Sequence, residues 1–237
     1  MAADGSGSRI RRQLLPHAPV VDVGLRAVFG KTPLTEEVRR LAPPAAMDGF
    51  SAVVGTDGRF LPLAGLEFRR DPNEAAAELR PGLKFPDTRD YVMWVLGARR
   101  EAYGARADRL ADMAGAALVD VVLELISDWH PDLSALIRRS DAGTVRSLPL
   151  RTAVPIEHWE TGPVTLVGDA IHCMVPAGSG AAVALRDAAE LSQRLAVAHA
   201  GGTPLLQAVH DYEVAMLEYG FAAVLASQRV VDQFSGT

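Results

Sequence analysis

Residues 163–185 constrain the fold of this chain more than any other stretch. Pro163-Val164-Thr165-Leu166-Val167 is a short, apolar, β-branched run, halted at once by Gly168-Asp169. That is the pattern of a strand buried on both faces, which belongs to a parallel sheet in an α/β arrangement. Pro176, Gly178 and Gly180 punctuate the loop that follows. An alanine-rich helix is then expected from Ala181 to Ala198; Gly201-Gly202 breaks it, and Pro204 opens a last long helix to about Val231. Ligands gather at the carboxyl ends of parallel strands, so the Gly168–Asp169 corner is the first candidate site. Its carboxylate can accept hydrogen bonds from the hydroxyls of a sugar-like chain. The start of the next helix offers unpaired N–H groups and partial positive charge to a phosphate or a developing anion. Gly178 and Gly180 allow close approach of backbone to ligand. An ordinary strand-to-helix turn with a capping aspartate accounts for the same residues equally well.

Elsewhere the pattern predicts a mixed α and β protein. Asp4-Gly5-Ser6-Gly7-Ser8 has turn chemistry, and Ile10, Leu14 and Leu15 among arginines predict a short helix after it. Residues 18 to 100 read as strand-rich. Val20 to Phe29 is β-branched, Phe50 to Thr56 and Arg59 to Leu66 flank the hairpin signal Asp57-Gly58, and Tyr91 to Leu96 is a further apolar run. Val119, Val122, Leu123 and Ile126 oppose Asp120, Glu124 and Asp128, the spacing of an amphipathic helix ending near Trp129. Pro131 starts another through Arg138.

Composition removes several functions. With 24 basic against 29 acidic side chains and a net charge of −5, the chain has no basic stripe for phosphate neutralisation, so no nucleic-acid partner is expected. The single cysteine, Cys173, excludes an internal disulfide framework and a cysteine-rich zinc site. His17, His130, His158, His172, His199 and His210 show no metal-ligand spacing, so no metal is expected. No apolar run reaches the length of a membrane span and Met1 to Arg12 is polar, which predicts a cytoplasmic protein with no membrane partner. Lys31 and Lys84 are the only lysines, so Schiff-base chemistry would rest on one of them. No GxSxG elbow exists; Ala177-Gly178-Ser179-Gly180-Ala181 is one residue off it. His172 and Cys173, adjacent on a loop, are not placed to face each other; Cys173 reads as a buried small apolar group and His172 as a loop-holding hydrogen-bond partner. Trp94, Trp129 and Trp159 read as core or interface residues, Trp94 also as a pocket candidate, and Arg26 as a solvated strand arginine.

Two segments taken together are more specific. Asp4-Gly5-Ser6-Gly7-Ser8-Arg9-Ile10-Arg11 resembles the DGxxSxVR segment of FAD-dependent aromatic-ring hydroxylases of the p-hydroxybenzoate hydroxylase type. Val164 to Pro176, running on to Leu185-Arg186-Asp187-Ala188, is similar to their GDAxHxxxP…G…DA segment. The order also matches: DG segment, β-rich middle, GD segment, then terminal helices with Asp211-Tyr212-Glu213, so the resemblance spans essentially the whole chain. It implies an FAD-binding domain with an inserted, mostly antiparallel β-sheet substrate domain and C-terminal helices. It implies FAD as cofactor, NAD(P)H as electron donor, and a small organic substrate, aromatic or polyketide-like. By the same resemblance Asp169, beside Gly168, bonds the ribityl chain. Gly178, Ser179, Gly180 and Ala181 sit by the flavin pyrimidine edge, Pro176 lines the flavin, and Asp4, Gly5 and Arg11 lie near the pyrophosphate. No side chain is assigned to the chemical step, because the flavin carries it. A homodimer is a further expectation.

Two departures matter. The family's opening GxGxxG unit is missing, so the chain reads as the carboxyl-terminal part of a hydroxylase. The glycine loop is one residue short, and Ala182 stands where relatives have asparagine. The expected division is residues 1–15 for the DG part of the FAD domain, 16–150 for the substrate region, 151–200 for the GD part, and 201–237 for the C-terminal helix. The alternatives to an enzyme are a non-catalytic flavoprotein remnant, with apolar surface exposed, and a small-ligand module built on the Asp169 loop alone.

Overall fold

The computed structural model describes residues 1–235, which divide between two compact units: residues 1–23 with 150–233, and residues 24–149 with 234–235. Strands and helices follow in the order α1 (Arg9–Leu14), β1 (Val20–Pro33), α2 (Glu36–Leu41), α3 (Pro44–Asp48), β2 (Ser51–Val54), β3 (Phe60–Leu66), α4 (Pro72–Leu79) and β4 (Tyr91–Arg99). Then come two 3-10 segments, α5 (Gly115–Leu125), α6 (Pro131–Arg138), a third 3-10 segment (Ala142–Thr144), β5 (Arg146–Ala153), α7 (Asp169–His172), α8 (Gly180–His199) and α9 (Leu205–Ser235).

The strands form one five-stranded sheet in the order β2-β3-β4-β1-β5. The hairpin expected around Asp57-Gly58 is present, with β2 and β3 antiparallel and Val54 opposite Phe60. β4 alternates as a strand with one buried face should: Val92, Trp94 and Leu96 are fully buried while Met93 and Val95 are half-buried. Leu61 and Leu63 of β3 and Val28 of β1 join them. α5 and α6 complete this core with Leu118, Val122, Ile126, Leu133, Leu136 and Ile137; of the stripe expected on α5, Val119, Val122 and Ile126 are buried and Leu123 packs against them half-buried. Trp94 belongs to this core, its indole N–H donating to Ser140 Oγ at 2.9 Å.

Four expectations need correction. Residues 18–100 are not only strands: α2, α3 and α4 interrupt them. α2 is capped by Thr35, which accepts from Val38 N–H, and α4 by Asp71, which accepts from Asn73 and Glu74 N–H ahead of Pro72. The Pro163–Val167 run is buried at Leu166 and Val167, yet its ladder is a single parallel bridge from Ala2 to Leu166. Ala2 N–H donates to Thr165 O and Val167 N–H to Ala2 O, so the opening residues are part of the fold. Arg26 is buried, with its guanidinium donating to Leu25 O at 3.0 Å, rather than solvated. Finally, α9 is long and apolar enough to cross a membrane by length and composition. Here its Tyr212, Met216, Phe221 and Val224 are buried in apolar clusters of its own unit.

Candidate functional site

The site grows from the end of the Pro163–Val167 run. Gly168 has φ 60° and ψ −144°, a conformation other residues rarely adopt. A Cβ there would also lie 3.1 Å from that of Ala184, so the turn needs a glycine to lie against α8. Gly168 is the N-cap of α7, which leaves Asp169 as an exposed first residue whose carboxylate is not spent on capping. The chain then passes Val175, buried, and Pro176, exposed, and turns at Gly178 with φ 94° into α8. At the start of α8 Ser179 makes no capping bond, and the first turn holds no acidic residue. Several N–H groups of a 20-residue helix therefore point outward without a side-chain acceptor.

These features meet around one cavity of about 440 Å³, lined by Asp169, Met174, Pro176, Gly178, Gly180 and Ala181 among others. Five of the residues singled out in the sequence are thereby brought together. The others stand elsewhere. Ser179 turns its hydroxyl to Met174 Sδ at 3.5 Å, and Gly168 lies buried behind the turn. Asp4 is exposed and accepts from Arg9 N–H at 2.9 Å; its hydrogen bond with Ser8, then that with Arg9, hold its carboxyl below the usual range. Gly5 supplies a left-handed turn at φ 76°. Arg11, expected near the pyrophosphate, has a structural tether in the fold. It is buried, its Nη1 donates to Ala170 O at 2.9 Å and its Nη2 to Ser6 O at 3.0 Å. Its guanidinium ties the DG segment to α7, and that burial lowers its pKa.

Sequence reading quoted Asp187 in a motif but gave it no role. It is fully buried and accepts three hydrogen bonds, from Gly168 N–H at 2.5 Å, His172 Nε2 at 2.7 Å and Tyr219 OH at 2.7 Å. An aspartate set among alanines on a helix was the available signal. His172 thus holds the turn to α8. Cys173 faces Arg151 O at 3.8 Å, and burial pushes its thiol up, away from the thiolate a nucleophile needs. Among the described residues no group of three His, Cys, Asp or Glu is placed to hold a metal ion.

An exposed acceptor, a glycine-lined wall and an uncapped helix start around one cavity suit a ligand with hydroxyls at one end and negative charge at the other. The FAD binding domain family matches residues 124–213. The chain is 32% identical over 221 residues to a dual O-methyltransferase/FAD-dependent monooxygenase of Phaeosphaeria nodorum, covering 81% of this chain and 23% of that protein. It is 33% identical to a Photorhabdus luminescens chain described as an FAD containing monooxygenase, with a TM-score of 0.83 over 98% of this chain and 60% of that one. Klebsiella pneumoniae HpxO, solved with FAD and uric acid, shares the fold at 22% identity and a TM-score of 0.73, over 100% of this chain and 51% of that one. The chain spans about a quarter of the length of the curated relatives it matches most extensively. It belongs to the FAD-dependent aromatic monooxygenases of the p-hydroxybenzoate hydroxylase type.

Proposed function

We propose that the cavity at Asp169 takes the ribityl and ring portion of FAD, in an NAD(P)H-dependent monooxygenase acting on a small aromatic or polyketide-like substrate. The observation that carries this reading is that Asp169 and the uncapped start of α8 face one cavity. Asp169 accepts from ribityl hydroxyls. The N–H groups at Gly180 and Ala181 face the pyrimidine edge and stabilise negative charge there through direct donation and the helix dipole. Pro176 closes one wall, and Asp4 and Gly5 turn toward the pyrophosphate. Arg11 acts from below by fixing the Ser6 and Ala170 carbonyls. When bound, FAD supplies hydride acceptance and oxygen transfer; one atom of O2 enters the substrate and the other leaves as water. The chain's own side chains bind, orient and exclude water. Residues 24–149 carry the substrate-facing role, and the acidic balance supports small-molecule rather than nucleic-acid partners in the cytoplasm.

The test is Asp169→Ala followed by FAD titration. The exposed side chain can be removed with little effect on melting temperature, while FAD affinity should fall at least about tenfold. Equal affinity in the variant overturns the assignment. One observation favours the remnant reading: along α8, Leu185 is 71% exposed, and Leu195 and Val197 are exposed as well. A chain that folds yet takes up no FAD would support it.

A further inference from the structure

α9 touches the site's scaffold at three points along one face. Tyr212, buried, donates its hydroxyl to Leu166 O at 3.0 Å, two residues before the turn. Seven residues on, Tyr219 donates to Asp187 Oδ1 at 2.7 Å. Gly220 forms a notch in which the His172 ring sits; a Cβ at Gly220 would fall 2.7 Å from His172 Cδ2. Spacings of seven and eight residues place the three positions on one side of the helix. Arg186 lies over the Tyr219 ring, its guanidinium carbon 3.9 Å from the centroid, and fixes the ring's orientation. Burial, and after it the bond to Asp187, push the Tyr219 phenol up, so it remains a donor throughout the neutral range.

Asp187 accepts from Tyr219 through one oxygen and from Gly168 N–H and His172 through the other. The turn that presents Asp169 is therefore held by a carboxylate whose own position is set from α9. We propose that the Tyr212–Tyr219–Gly220 face of α9 fixes the conformation of the Gly168–Asp169 turn, which makes Tyr219, acting through Asp187, a positioning residue. Its consequence for ligand affinity rests on the flavin reading above; the positioning itself does not.

The experiment measures amide hydrogen exchange at Gly168 and FAD affinity in the full chain, for Tyr219→Phe, Gly220→Ala and a comparator, Val231→Ala, which truncates a buried α9 residue about three turns beyond Gly220. Losing the Tyr219 hydroxyl should raise Gly168 exchange roughly threefold to tenfold. FAD affinity should fall by a similar factor. Val231→Ala should lower the melting temperature at least as much, yet leave both readouts within about twofold of wild type. Unchanged Gly168 exchange in Tyr219→Phe overturns the proposal, whatever flavin does. Equal increases in all three variants also overturn it, because they would report general loosening. Should Gly220→Ala fail to fold, Tyr219→Phe alone decides. Wild-type chain that takes up no FAD would refute the flavin reading, while the exchange result still decides the positioning.

Discussion

The two units spend their polar groups differently. Of the nine buried polar or charged residues among those described, seven lie in the unit containing the Gly168–Asp169 turn: Ser8, Arg11, Thr165, His172, Asp187, Glu213 and Ser227. The sheet unit buries Arg26 and Thr32 and otherwise keeps its charges outside, as pairs such as Arg39 with Glu67, Arg106 with Glu124 and Arg89 with Asp87. Exposed pairs contribute little, so the sheet unit is held by apolar packing around Trp94. The other unit accepts the desolvation cost of buried carboxylates and, at Asp187, offsets it by directing several donors at one side chain. Asp187 receives three donors, and Glu213 receives the Thr161 hydroxyl at 2.6 Å. Packing confers stability without fixing an angle, whereas a saturated buried carboxylate fixes backbone direction, which a ligand-facing turn requires.

If that contrast is right, the largest effect comes from the apolar side. Trp94→Ala should cost the sheet unit about 3–5 kcal/mol in denaturant unfolding and leave Gly168 exchange unaltered below the transition. A matching rise at Gly168 would break the contrast. Asp187→Asn comes next. It keeps the side-chain volume but turns an amide toward three donors, and should cost about 1–3 kcal/mol with a marked rise in Gly168 exchange. The smallest effect is on surface charge. The Arg89 hydrogen bond holds the Asp87 carboxyl at about 2, below its usual 3.8. A depressed carboxylate contributes stability above its unfolded pKa, and that contribution is lost as pH falls from 3.8 toward about 2. Asp87→Asn should flatten this part of the pH–stability curve slightly, and added salt should shrink the difference. A large, salt-insensitive change would mean that the sheet unit uses charge after all.

The same contrast governs how much the sequence reveals. Period and punctuation exposed β1 to β4, α5, α6, α8 and α9, because apolar alternation is a local record of burial. Thr35 and Asp71 carried the caps of α2 and α4, but the β-branched runs on either side drew the reading toward strands. β5 was hidden by Pro149, which a strand tolerates at the end of the sheet order, where β5 stands. At the site, Asp169, Pro176, Gly178, Gly180 and Ala181 were legible from spacing and resemblance. Asp187 and Tyr219 were not, since their roles depend on a contact across 32 residues of chain between two helices that each look amphipathic alone. The tether made by Arg11 was hidden for a related reason: its partner carbonyl lies 159 residues away.

In the sheet, two glycines face two aromatic rings across strands. Phe60 stands opposite Gly97, and a Cβ there would lie 2.1 Å from the Phe60 ring; Trp94 stands opposite Gly30, where a Cβ would lie 2.6 Å from the indole. β1 must wait for β4 to be made some sixty residues later before it can pair, the kind of distant match that slows folding and invites slipped alignments. Moving a strand by one residue would drive a ring into Ala98 or Lys31 instead of an empty place. The two glycines thus act as keyholes, rejecting mispaired strands while the chain is still assembling, before any ligand site exists to be selected.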